Sequence, residues 1–362
     1  MRGAMALLLC CAMLPAGVAR SELLPRFPPG AIWNRNVAAD PLHPQSASMI
    51  ATLSGLGGFG FGRMQIDFGL QLVRAETGAP LRTLTGYPFG SYFLPDCEPI
   101  GSTLPVPVGA AIEAQPGLVC DNANEDCHLL VVQGNQLYEA FHANAEGDNG
   151  MQAQCLAVWQ LDLVYPPEGR GEHCTSADAA GFPIAPLLFN ADEIAASLAT
   201  APGGDGDIGH AIRFTLPNAR MASDLALGGV GGRLYVRPAS HAGSPSGPSA
   251  SLPYGSRLRL RADFPLGGYG PAARVILNTL KRYGMFLADG GNIALTAESD
   301  RYTANSWAST GIDSRVFDQT AGASAVAIGD FQVLDTGSRI AETFACVRTV
   351  LPSGSLFLDG FE

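Results

Sequence analysis

The chain has 362 residues, 47% of them hydrophobic, and a formal net charge of −11 at pH 7. An acidic chain whose only lysine is Lys281 suits neither nucleic acid nor an anionic membrane surface, since both are held by Lys and Arg. The apolar content is enough for a substantial core, so folding does not depend on disulfides as it does in very small domains.

Residues 1–19 read as a cleavable secretory signal: Arg2, an apolar run from Ala4 to Leu14, the breakers Pro15 and Gly17, and a small residue at Ala19. At roughly a dozen residues the run is too short to span a bilayer, and no later stretch is longer. The expectation is a soluble protein, secreted or periplasmic, with no membrane insertion after cleavage. Residues 20–355 are expected to form a single secreted domain and 356–362 a short C-terminal tail.

The glycines of GLGGFGFG include Gly55, Gly57 and Gly60 in G-x-G-x-x-G spacing. A dinucleotide site needs a helix next. The alternating run from Met64 to Leu72 follows instead, so the segment reads as a flexible turn. Cys97, Cys120, Cys127, Cys155, Cys174 and Cys346 remain after the leader, an even number that suggests three bridges. The expected pairs are Cys120 with Cys127, Cys155 with Cys174, and Cys97 with Cys346.

Asp126 and His128 flank Cys127 at the entry to a strand, Leu129 to Gln133, with both side chains on one face by alternation. Glu139 lies on the next strand, Leu137 to His142, in a hairpin pattern. Leu156 to Val164 is a further strand with Trp159 as core. Asp178 sits in the loop TSADAAGFP. Asn190 and Glu193 form a capping box before a helix. Asp148, Asp205 and Asp207 read as solvated turns, because no glutamate follows at calcium-loop spacing.

His210 begins the strand Ala211 to Leu216, which carries Arg213. Arg233 to Val236 is a short strand, and residues 238–256 form a Pro/Ser/Gly-rich loop. Leu258, Leu260 and Phe264 alternate with Arg257, Arg259, Arg261 and Asp263, giving a strand with a charged outer face. A helix begins near Pro271 and stops at Gly284. Ile293 to Ala297 and Phe331 to Leu334 complete the strands. The fold class is therefore α+β and β-rich: mainly antiparallel sheet or sandwich, with a few short helices and disulfide bonds.

Several segments in consistent order, DCHLLVV (126–132), TSADAAGFPIAP (175–186), GHAIRFTLP (209–217) and VILNTLKRYGMFLADGGN (275–292) among them, resemble a widespread family of uncharacterised exported bacterial proteins. PVPVGAAIE (105–113), LYVRPASH (234–241) and LPYGSRLRLRADF (252–264) extend the likeness to roughly half of the chain. The resemblance implies that residues 238–256 are a loop within one unit. It also implies that Asp126, His128, Asp178, His210 and His241 occupy family positions. Arg237 departs from the pattern, where a tryptophan would be expected.

No H-E-x-x-H, G-x-S-x-G or P-loop motif is present, and no cofactor or metal is expected. A carboxylate beside an imidazole suits acid–base work, and two carboxylates across a cleft suit glycoside cleavage if one stays protonated. The leading expectation is an exported enzyme acting on polysaccharide or cell-envelope glycan, by hydrolysis or elimination. His210 and Asp126 would be the acid/base pair, with His128 beside Asp126. Asp178 or Glu139 would be the second carboxylate. Arg213 and His241 would bind substrate, and Trp33, Trp307 and Tyr92 would stack on sugar. The alternative is a non-catalytic glycan-binding or surface-structural protein; a peptidase ranks last for want of any motif.

Overall fold

In a computed structural model, residues 23–121, 125–318 and 325–349 are described. The leader at 1–19 and the tail at 356–362 lie outside the described residues. The architecture is α+β and β-rich, and antiparallel ladders outnumber parallel ones. A six-stranded mixed sheet runs in the order Ile66–Leu70, Leu295–Glu298, Ile212–Leu216, Met285–Gly290, Arg257–Leu260 and Phe331–Val333. Two four-stranded sheets accompany it, with two short antiparallel ribbons.

The helix Pro271–Arg282 covers the central sheet with Val275, Ile276 and Leu280 buried. It ends as the sequence requires. Gly284 adopts φ 69°, and a Cβ there would stand 2.3 Å from the Leu258 carbonyl, so only glycine fits the stop. The second long helix, Ala191–Thr200, opens on the expected capping box: Glu193 N donates to Asn190 Oδ1 at 2.8 Å, and Asn190 N donates to Glu193 Oε2 at 3.3 Å.

The four-stranded sheet of Leu72–Arg74, Leu129–Gln133, Gln136–Phe141 and Cys155–Gln160 is covered on both faces. Alternation sends Leu72, Leu130, Leu137 and Trp159 into the main core. It sends Val73, Leu129, Val131, Ala140 and Val158 into a second core closed by Leu84, Leu104 and Met151 of the other four-stranded sheet. Glu139, two residues after Leu137, therefore points into the main core.

The run from Met64 to Leu72 is not one strand. Its register shifts between Asp67 and Leu70, where Asp67 Oδ1 accepts from Gly69 N at 2.8 Å. Ile66–Leu70 joins the central sheet, while Leu72–Arg74 joins the four-stranded one. The glycine segment before it is a turn preceded by the helix Ser46–Gly55, and Arg220 Nη1 donates to the carbonyls of Gly57, Gly58 and Phe59.

The face expected to be charged on Arg257–Leu260 is covered by the segment 35–40. Arg257 is buried, and Arg259 Nη1 donates to the carbonyls of Val37, Ala38 and Asp40. Residues 238–256 hold no helix or strand, but Ser240, Ala242, Leu252 and Tyr254 are buried, and bridges tie Gly247, Leu252 and Tyr254 to neighbouring segments.

The disulfides are Cys97–Cys155, Cys120–Cys127 and Cys174–Cys346. Only the local pair matches expectation. Cys155 lies at the start of its strand and faces Cys97 in a small cluster with Ala157. Cys174 instead meets Cys346, alongside a ribbon pairing Gly171–Glu172 with Val347–Arg348.

Candidate active site

A cleft of about 570 Å³ opens where the loop after Cys174 meets the C-terminal end of the strand Met285–Gly290. Its lining includes Asp126, Asp178, Asp289 and His241, with an aromatic rim of Tyr92, Phe93, Phe141 and Phe344. The 174–182 loop is fixed from several sides. Thr175 N donates to Asp96 Oδ2 at 2.8 Å, Ser176 Oγ to the Phe182 carbonyl at 2.6 Å, and Ser240 Oγ to the Cys174 carbonyl at 2.8 Å. At Gly181, φ is 78° and a Cβ would fall 2.1 Å from Ser240 Oγ, so glycine lets the two segments close on each other.

Asp178 is fully buried at the cleft floor. Its Oδ1 accepts from Ala180 N at 3.0 Å and its Oδ2 from Arg213 Nη2 at 2.6 Å. Arg213 also reaches Thr296 Oγ1 at 3.1 Å and lies 3.6 Å from Asp289 Oδ2. Asp289 keeps 28% side-chain exposure toward the cleft.

Burial raises both acids above the usual carboxylate range, Arg213 opposes it, and Asp289 adds repulsion to Asp178. They titrate as a pair. The guanidinium is 1.0 Å closer to Asp178 than to Asp289 and so favours charge on Asp178, but full burial and the neighbouring Asp289 still push Asp178 up to about 7. Asp289, the more exposed of the two, is raised by burial and opposed by Arg213. Asp126 is solvent-exposed on the same cleft. The cleft thus sets an acid raised by burial, Asp289, alongside an exposed one, Asp126.

His128 is buried beneath the cleft. Its Nδ1 meets Glu113 Oε2 at 2.7 Å and its Nε2 meets the Ala177 carbonyl at 3.1 Å. Burial opposes the imidazolium, but Glu113 outweighs it and pushes His128 up to about 9. A cation with both nitrogens donating satisfies both partners. His128 therefore braces the Asp178 loop from below. His241 Nδ1 lies 2.7 Å from the Ala179 carbonyl, which can only accept, so Nδ1 carries the hydrogen and Nε2 is a lone-pair acceptor. Burial lowers its pKa and keeps the ring neutral.

The expected acid/base pair is not assembled. His210 is fully buried away from the cleft, with Nε2 2.5 Å from Arg26 Nη2, Glu193 at 3.7 Å and Nδ1 2.7 Å from the Ala211 carbonyl. Burial, then Arg26, lowers its pKa. Glu139 is also remote, fully buried under Ile184 and Ala185. Arg213 is committed to Asp178 beneath the cleft and is not a direct substrate contact. Trp33 packs edge-on to Phe182 and Phe286 in the core. Trp307 packs on Phe68 and Phe189, with Nε1 donating to the Glu298 carbonyl at 2.9 Å. Neither indole is an exposed stacking platform. Tyr92 does line the cleft, its hydroxyl donating to the Glu98 carbonyl at 2.5 Å.

No local motif marks Asp289 or Glu113 in the sequence. Both lie in segments that carry the family resemblance, and Asp289 stands before Gly290-Gly291 at the end of a strand, a position that sends a side chain to a sheet edge. Comparison with known family models, with characterised proteins and with solved structures finds no match.

Proposed function

We propose that this is an exported enzyme that cleaves polysaccharide or cell-envelope glycan by hydrolysis, with Asp289 as general acid and Asp126 as the opposing carboxylate. The observation that carries the reading is the pairing in one cleft of a partly buried acid, Asp289, whose proton affinity burial raises, with a solvated one, Asp126. That combination is needed to protonate a glycosidic oxygen while water or the enzyme attacks the sugar. Asp178 and Arg213 tune Asp289, His128 and Glu113 brace the loop, and the aromatic rim supplies surfaces for sugar faces. Three disulfides, and no helix among the described residues long and apolar enough to cross a membrane, support an extracytoplasmic setting. Membership of the exported bacterial family that the sequence resembles belongs to the same proposal.

Elimination is the second reading, favoured by the free Nε2 acceptor of His241, which would remove a proton beside a uronate carboxyl. Mass spectrometry of products released from a panel of polysaccharides and peptidoglycan separates the two. Hydrolytic products carry an added water, whereas eliminated ones carry a new double bond. Hydrolytic products lost in Asp289→Asn support the proposal. Unsaturated products lost in His241→Ala would replace it with elimination. Saturable retention without product would leave the non-catalytic glycan-binding reading.

A further inference from the structure

A second cavity, of about 380 Å³, is built differently. Its walls include Phe27, Trp33, Trp159, Phe182 and Phe286, packed edge-to-face at centroid distances of 5.1 to 6.1 Å. Such a lining suits a flat apolar body, and the volume lies in the range of small-molecule sites.

Arg257 also lines it, only 1% exposed, with its guanidinium 4.5 Å above the Phe286 ring. No carboxylate pairs with it among the described residues. Nε donates to the Tyr283 carbonyl at 2.9 Å, Nη2 to Tyr283 and Arg35 carbonyls at 2.6 and 2.9 Å, and Nη1 to the Ile32 carbonyl at 3.3 Å. Four of five N–H donors are used, so one on Nη1 remains. By contrast, Arg35 and Arg237, which also line the cavity, are paired with Asp40 and Glu172. Asp40 acts on Arg257 without bonding to it, and Asp335, the acid on the same cavity wall, makes no ion pair with it. A buried cation bonded only to carbonyl dipoles, on the wall of an aromatic cavity, has no directly bonded counter-anion.

We infer that this cavity is a binding site for an aromatic carboxylate, whose ring fills the space between Phe27, Trp33, Trp159 and Phe182 and whose anion meets Arg257. The site is separate from the acidic cleft and does not rest on the glycan reading.

The test uses 2-naphthoate and its neutral analogue 2-naphthalenemethanol, titrated into the mature protein by calorimetry. Gly30 lines the mouth, is exposed, and would place a Cβ 3.7 Å from Val164, an ordinary contact. Gly30→Trp therefore blocks the entrance without disturbing the backbone. Saturable naphthoate binding, at least tenfold tighter than the alcohol and abolished in Gly30→Trp with its melting temperature unchanged, is expected. Arg257→Met, if folded, should bind the two probes alike. Absence of naphthoate binding, equal affinity for both probes in wild type, or binding unaffected by a folded Gly30→Trp would each overturn the inference.

Discussion

Replacing Glu139 separates a structural carboxylate from a catalytic one. Its oxygens accept from Ile184 N at 2.8 and 3.0 Å, Ala185 N at 2.8 Å and Trp159 Nε1 at 3.1 Å. Glu139→Leu strands three buried N–H donors. At about 1–3 kcal/mol each the loss should reach on the order of 4 kcal/mol or more, read as a shifted urea midpoint at pH 7. Glu139→Gln keeps one acceptor oxygen and removes the titration. Burial, outweighing those three donors, raises Glu139 to about 7 from 4.5. The folded state therefore binds the proton more tightly than the unfolded state. Its contribution to stability is full below about pH 4.5 and is lost as pH rises through 7, by on the order of 3 kcal/mol. The stability difference between the two proteins should thus move in favour of Glu139→Gln between pH 5 and pH 8, with activity per folded molecule unchanged. A wild-type midpoint for Glu139→Leu, or a pH-independent difference with activity lost in Glu139→Gln, would refute this reasoning.

Non-reducing peptide mapping should recover Cys97–Cys155 and Cys174–Cys346. Removing the latter, which closes the longer loop of sequence separation 172, should cost about 5 kcal/mol, against about 4 for the former at separation 58; a Cys155–Cys174 peptide would contradict the fold. For His128, a folded pKa near 9 means that its stabilising ion pair is complete below the unfolded value of 6.5 and fades as pH rises through 9. Imidazole NMR titration should show that value, and Glu113→Gln should drop it below 6.5, since burial then acts with less opposition. Trp307→Ala should cost about 3–5 kcal/mol in thermal or urea unfolding while leaving glycan retention intact; retention lost without destabilisation would restore the indole to a binding role.

Local chemistry was the legible part of this fold. The Asn190–Glu193 box, Pro271 at a helix start, Gly284 at its stop and the Cys120–Cys127 loop each need only a few neighbouring residues, and each stands as expected. The two long disulfides are set by the sheets that bring distant segments together, which no spacing encodes. The alternation from Met64 to Leu72 does mark extended chain, but period two is blind to the change of sheet at the bulge.

The site divides in the same way. Asp126, Asp178 and His241 do share one cleft, whereas Glu139 faces a core whichever way its strand alternates, because both faces of its sheet are covered. His210 precedes the strand bearing Arg213, yet its ring turns to Arg26 and Glu193, a pairing between the N-terminal segment and a helix that only the tertiary fold creates. Arg257 looked like part of a solvated stripe because the covering segment, residues 35–40, lies more than two hundred positions earlier.

The central claim is that Asp289 donates a proton in the acidic cleft. The most direct measurement is product release from one responsive glycan by wild type and Asp289→Asn, both folded and fully oxidised, with glycan binding measured in parallel. The account predicts at least about a 100-fold loss of rate with binding retained. Undiminished release by Asp289→Asn, or no product from any glycan with wild type, would contradict it.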